Sequence, residues 1–259
     1  MSRNADDLPS LIRLAREENF TSIGQLSADD LTDVFADNQQ IHDILKGTCY
    51  EGEADDLLAD MEALKYFLWL GPERCGMFFA RQVLLVEGQT ERCLVNHLFD
   101  SGQLEMPKGG VFVLDCLGKF NMHRFVNILG PLSVYHSVLF DADRGKPPHD
   151  KLKKVLLDSR NAFTRKIDFF LTDLEDFLGI PPAGKAHRKP QHVMLKLQQG
   201  AIGAERLEEL VKMVTALISI GPPMSTGPKS TDAMPLSDGR VIADKMQVSA
   251  QKRPVAEGA

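Results

Sequence analysis

Two apolar runs in this chain end in acids. Val83, Leu84, Leu85 and Val86 lead into Glu87 and Gly88, with Glu91 four residues beyond Glu87. Ser133 to Phe140 leads into Asp141, Ala142, Asp143 and Arg144. Short continuous apolar runs read as buried strands, and ligands of open α/β sheets bind outside the carboxyl ends of such strands. Thr90 reads as the N-cap of a helix that opens with Glu91, where an acid is also favoured by the helix dipole alone. In extended geometry Asp141 and Asp143 point to one side. Paired carboxylates repel unless protonated or bridged by a cation, and all-oxygen ligation suits Mg²⁺ or Mn²⁺ rather than zinc. A single DxD is commonly a loop or a cap. Two acidic strand ends in one sheet are what point to a metal.

The elements that must position these acids follow from the spacing of apolar residues. Gln82 to Val86, Val111 to Leu114, Val134 to Phe140 and Ile167 to Leu171 read as strands. Thr90 to Asp100, Phe120 to Leu129 and Asp150 to Ala162 are long enough for crossover helices, which makes the sheet parallel with both faces covered. Glu205 to Ile218 reads as a last amphipathic helix. The fold class is therefore α/β, a Rossmann-like parallel sheet over residues 79–220. Ahead of it, residues 1–78 read as a small acidic helical segment, from the helical spacing of Leu57, Leu58, Met61, Leu64 and Phe67. Residues 221–259 have few large apolar side chains and read as a disordered tail.

The net charge of −6 conceals a segregated distribution. Residues 1–70 carry 15 acidic and 5 basic side chains, whereas residues 144–166 carry 8 basic and 2 acidic. That basic stretch holds Arg144, Lys146, Lys151 and Lys154, which could contact phosphates or could be the solvated face of an ordinary helix. Cys49, Cys75, Cys93 and Cys116 lack zinc spacing and read as free thiols, and His97 and His123 read as helix-surface residues. No apolar run is long enough to span a bilayer, and no signal peptide opens the chain, so a cytoplasmic location without membrane attachment is expected.

VEGQTE at residues 86–91 followed by LFDADR at 139–144 resembles the glutamate and DxD motifs of Toprim domains. The second glutamate is most similar to the OLD (overcoming lysogenization defect) nucleases. FFARQVLLVEGQTE, the LGKFN turn at 117–121, DLEDFLGI at 173–180 and RKP at 188–190 extend the resemblance over roughly residues 60–200. It implies a Mg²⁺- or Mn²⁺-dependent endonuclease hydrolysing DNA with two ions. Glu87, Glu91, Asp141 and Asp143 would hold one ion and share the second with Glu175, helped by Asp173, and Lys189 would steady transition-state charge. A role in phage defence or DNA processing is also implied.

The chain departs from full-length OLD nucleases in having only about 80 residues where an ATPase domain is expected. GPPMSTGPKS at 221–230 has the wrong glycine spacing and a proline before Lys229, so no ATP site is expected. A separate ATPase subunit could serve as partner, and the apolar stripe of the first segment suggests a homodimer. Tyr50, Tyr66 and Tyr135 have no DNA-gate domain around them, so strand passage is not expected. The competing expectation is a non-catalytic Toprim module that binds nucleic acid or a partner and works with a separate ATPase.

Overall fold

Strand β3, Gln82–Val86, is buried at every position and lies inside the sheet. A computed structural model describes residues 10–16, 21–48, 65 and 69–219. In it, β3 is flanked by β4 (Phe112–Asp115) on one side and β5 (Tyr135–Asp141) on the other, with β6 (Thr164–Phe170) beyond β5. All four strands are parallel. The order β4-β3-β5-β6 means that the chain leaves β3 toward one edge and then returns across it to lay down β5. The carboxyl ends of β3 and β5 thus flank the point where the winding reverses, the place where open α/β sheets open a crevice.

Alternate residues of β3 feed two cores, as the period of a strand requires. Val83 and Leu85 pack with Val138, Phe140 and the helix α3 (Met122–Leu129) through Phe125, Val126 and Leu129. Leu84 and Val86 pack on the other face, with Leu94, Val95 and Leu98 of α2 (Gln89–Asp100) and with Leu210, Val214 and Leu217 of α7 (Ala204–Ile218). The helix α4 (Pro147–Asp158) joins the first face through Leu156, while its Leu152 and Val155 meet Ile41 and Leu45 of α1 (Ala28–Leu45). Two further helices, α5 (Leu174–Leu178) and α6 (Lys189–Gln198), follow β6 and join the second face through Leu174, Leu178 and Val193.

The expectation of an all-helical first segment is wrong for residues 12–16 and 21–25. They form an antiparallel pair of strands, β1 (Ile12–Arg16) and β2 (Thr21–Gln25). Its inner face shows why. Arg13 donates to the carbonyls of Phe78, Ala80, Leu132 and Ser133, and a Cβ on Gly24 would lie 2.4 Å from the Leu132 carbonyl carbon. Only extended backbone presents Arg13 and Gly24 on the same side of paired strands. Helix α1 does form, started by a Ser27 and Asp30 capping box. Leu57 to Phe67 as an element and the tail at 221–259 lie outside the described residues, as does Cys49. Cys75, Cys93 and Cys116 are free thiols. Among the described residues, no helix is long and apolar enough to cross a membrane.

Candidate metal centre at the switch point

Glu87 follows β3 directly, and its Oε2 accepts a hydrogen bond of 3.1 Å from the Asp141 backbone N–H. The two acidic strand ends are thereby tied together across the reversal point. Helix α2 begins at Gln89, earlier than the sequence suggests, with Gly88 rather than Thr90 as its N-cap. Glu91 reaches back to accept from the Gly88 N–H at 2.9 Å, which turns a buried carboxylate toward Glu87. Burial and the Glu87 charge raise the Glu91 pKa to about 7. Burial likewise raises Glu87, against the pull of Lys119.

Asp141 is the last residue of β5 and is buried. Its carboxyl is raised well above the usual range by burial and by the Glu87 and Glu91 charges. Its Oδ1 is buried without a hydrogen-bond partner among the described residues. Asp115, at the end of β4, makes an instructive contrast. It too is buried, yet it pairs with Arg74 at 2.9 Å and Arg92 at 3.0 Å. One acidic strand end is therefore satisfied by the protein, and the other is left with a bare oxygen.

Asp143 is not extended, which corrects the reading of the DxD as a flat strand end. Its φ is +48°, and its N–H bonds the Thr172 carbonyl in the loop after β6. That turn sends its carboxylate toward basic groups. Lys119 binds Oδ2, Lys146 binds Oδ1 at 2.6 Å, and His149 Nδ1 lies 3.3 Å from Oδ2. Burial alone would raise Asp143, but the hydrogen bonds from Lys119 and Lys146 outweigh it and hold the carboxyl below its ordinary value.

Glu175 is buried in the first turn of α5. The Lys189 ammonium, at the start of α6, lies 2.8 Å from Glu175 Oε2 and 3.8 Å from Asp141 Oδ2. Burial disfavours its charge, yet Glu175, Asp141 and Glu91 carry its pKa above the usual lysine range. Asp173 serves as a helix cap, its Oδ1 accepting from the Asp176 N–H at 2.8 Å at the start of α5. Arg144, Lys151 and Lys154 are exposed, the last two on α4, whereas the Lys146 ammonium is drawn to Asp143.

Lys119 was not singled out by the sequence, although it stands within LGKFN. It occupies the turn after β4, another carboxyl strand end, and that position is the only signal that could have flagged it. His123 also departs from expectation: it is buried and hydrogen-bonded to Asn38 at 2.6 Å, not on a helix surface.

The donor set suits a hard divalent cation. It is all oxygen, and Asp141 Oδ1 and Glu175 Oε1 are buried without hydrogen-bond partners among the described residues. Glu87, Glu91, Asp141, Asp143 and Glu175 could supply the ligands. Among the described residues, no three Asp, Glu, His or Cys side chains are gathered closely enough to enclose an ion, and two ammonium groups stand among the acids.

Residues 78–143 match the family model of the overcoming lysogenization defect protein-like Toprim domain. This segment is an OLD-like Toprim domain. The match takes in Glu87, Glu91, Lys119, Asp141 and Asp143 and stops short of Glu175 and Lys189. A solved structure, the C-terminal region of the Burkholderia pseudomallei OLD protein, is 21% identical, covering 53% of this chain and 84% of its own, with a TM-score of 0.28. No curated protein matches the chain. Toprim domains generally bind divalent metals, and here the motif acids surround the switch point of the parallel sheet.

Proposed function

We propose that this Toprim protein is a Mg²⁺- or Mn²⁺-dependent endonuclease that hydrolyses DNA phosphodiester bonds. The observation that carries the reading is the Asp141 Oδ1, buried without a hydrogen-bond partner among the described residues and facing the charges of Glu87 and Glu91. A fold leaves a carboxyl oxygen in that state only at a cost, because a buried polar atom without a hydrogen bond is destabilising. Raised carboxyl pKa values in a crevice mark functional sites for the same reason.

Glu87, Glu91, Asp141, Asp143 and Glu175 are the groups that would hold the ions. Bound divalent cations supply charge neutralisation at the phosphate and lower the pKa of an attacking water. The protein's own part is to orient and to balance charge. Glu87 is fixed by the Asp141 N–H and Glu91 by the Gly88 N–H, so both arrive with one oxygen committed and one available. Lys189, held by Glu175, brings a permanent positive charge to the crevice, where it can offset negative charge developing on the phosphate. Without cations the acids would repel a DNA backbone, so metal dependence is absolute in this reading. Arg144 and the exposed lysines of α4 would hold flanking phosphates.

Nicking of supercoiled plasmid by the purified chain in Mg²⁺, Mn²⁺ or EDTA tests the proposal. Cleavage is expected only with metal and is lost in the Asp141→Ala, Asp143→Ala variant. Cleavage that persists in EDTA or in that variant would remove the proposed centre. A wild-type chain inert in every metal would leave a binding module without turnover.

A further inference from the structure

Lys119 is the least explained side chain of the crevice. It is 5% exposed, and its ammonium donates to the Asp141 carbonyl at 2.7 Å, binds Asp143 Oδ2 and lies 3.9 Å from Glu87 Oε2. A lysine so deeply buried is uncommon unless paired. The backbone is bent to deliver it. Leu117 has φ +59° and Gly118 φ +102°, and the Gly118 N–H bonds the Glu87 carbonyl at 2.8 Å. A non-glycine residue in the left-handed region costs energy, and Leu117 and Asp143 both adopt it, on the two turns that bring Lys119 and Asp143 together.

The result is an uneven site. Asp141 Oδ1 is bare, whereas both Asp143 oxygens face cationic or ionisable groups: Lys119 and His149 at Oδ2, Lys146 at Oδ1. A cation that ligates Asp143 must take an oxygen from one of them. Lys146 is exposed and can turn to solvent, but Lys119 is enclosed and touches three of the motif's groups at once.

Resting on the metal reading above, we propose that Lys119 is a built-in counter-ion of the metal-free crevice, which competes with a divalent cation for Asp143 and Glu87 and must withdraw for that cation to bind. The lysine keeps the acids from repelling one another while no metal is present. It also sets a threshold for loading, because a monovalent ion gains nothing over the ammonium it would displace, whereas a divalent ion brings twice the charge to the same oxygens.

The test is calorimetric titration of Mn²⁺ into the full chain as wild type, Lys119→Met and Lys119→Gln, with thermal unfolding of each in EDTA and in saturating Mn²⁺. Both variants should bind Mn²⁺ about tenfold or more tightly than wild type, since the competitor is gone. They should unfold at lower temperature than wild type in EDTA, and the gap should close in Mn²⁺. The glutamine variant, which keeps a polar group in the turn, carries the test where the methionine variant does not fold. Equal or weaker Mn²⁺ binding by a folded variant, with wild type binding normally, would overturn the counter-ion and leave the metal centre standing. Binding by none of the three would remove the metal centre and the competition with it.

Discussion

Lys189 bridges Glu175 and Asp141, with its ammonium 2.8 Å from the first and 3.8 Å from the second. Glu175 follows β6 and Asp141 ends β5, so one lysine draws together acids from two strand ends. Replacing it with methionine strands Glu175, which is 1% exposed. Lys189 itself is partly exposed, so leaving Glu175 without it costs less than breaking a fully buried pair, about 1–3 kcal/mol. Lys189→Met should therefore be less stable in EDTA by that order, partly rescued by Mn²⁺, and should nick plasmid about 10²–10³ times more slowly. Unfolding curves with and without metal, beside nicking rates, check both halves. Wild-type nicking by the variant would deny Lys189 any part in the reaction.

Asp141→Asn should have the opposite effect on stability. The carboxyl is raised by burial and by Glu87 and Glu91, so the protein is strained wherever that group is forced to carry its charge. An uncharged amide of the same shape should stabilise the metal-free protein by about 1–3 kcal/mol. The same change should weaken Mn²⁺ binding more than about 100-fold, exceeding the loss usual for a residue that only supports a ligand. Denaturant unfolding in EDTA and a Mn²⁺ titration give the two numbers. A destabilised variant would mean that Asp141 is a structural acid, comparable to Asp115.

These relationships were unevenly legible in the sequence. The central strands could be read because β3 and β5 are buried on both faces, β3 showing as the apolar run Val83 to Val86 and β5 as Val138, Leu139 and Phe140 just before Asp141. The acids at their ends then fell into place by the rule for open sheets. The β1–β2 strand pair is hidden because its apolar residues Ile12, Leu14 and Ile23 are exposed while Arg13 faces inward, the reverse of the usual alternation. Helix α6 leaves little trace in the sequence because only Val193 of its ten residues is buried, too little for an apolar stripe. Lys119 is inconspicuous in the sequence because a lysine after a glycine turn resembles any surface lysine. Its burial is created by β4 and β5 lying on either side of β3, a matter of strand order that local spacing does not encode.

The metal-free protein should show a pH dependence traceable to Glu91. Its folded pKa, about 7, lies above the ordinary value of 4.5. Between those values the folded state holds more protons than the unfolded state, so stability falls as pH rises through that window. The integrated effect is about 2–4 kcal/mol. His136 acts in the opposite sense: burial lowers it from 6.5 to about 4, so its contribution is lost as pH falls through that range. Comparing wild type with Glu91→Gln in EDTA cancels His136, which both proteins share, and reads Glu91 together with its coupling to Glu87 and Asp141, which are raised in the same sense. Glutamine can still accept from the Gly88 N–H. The stability advantage of Glu91→Gln should grow from pH 5 to pH 8, and a constant difference across that range would rule out the raised carboxyl.

The exposed lysines of α4 carry the last prediction. Lys151 and Lys154 are exposed, and the helix is anchored from beneath by Leu152, Val155 and Leu156, so its charged face is held fixed in the fold. Each phosphate neutralised by such a lysine releases counter-ions and adds about 0.9 to the slope of log affinity against log salt. The Lys151→Ala, Lys154→Ala variant should bind duplex DNA more weakly at low salt, with a slope shallower by about 2. Fluorescence anisotropy with labelled DNA in Ca²⁺, across about a fourfold range of salt, measures it. Lys212→Ala on α7 is the control, because Lys212 is paired with Glu208 at 2.6 Å and offers little net charge to a phosphate. If Lys212→Ala lowers the slope as much as the double variant does, the effect is one of overall charge, and α4 is not the DNA-binding surface.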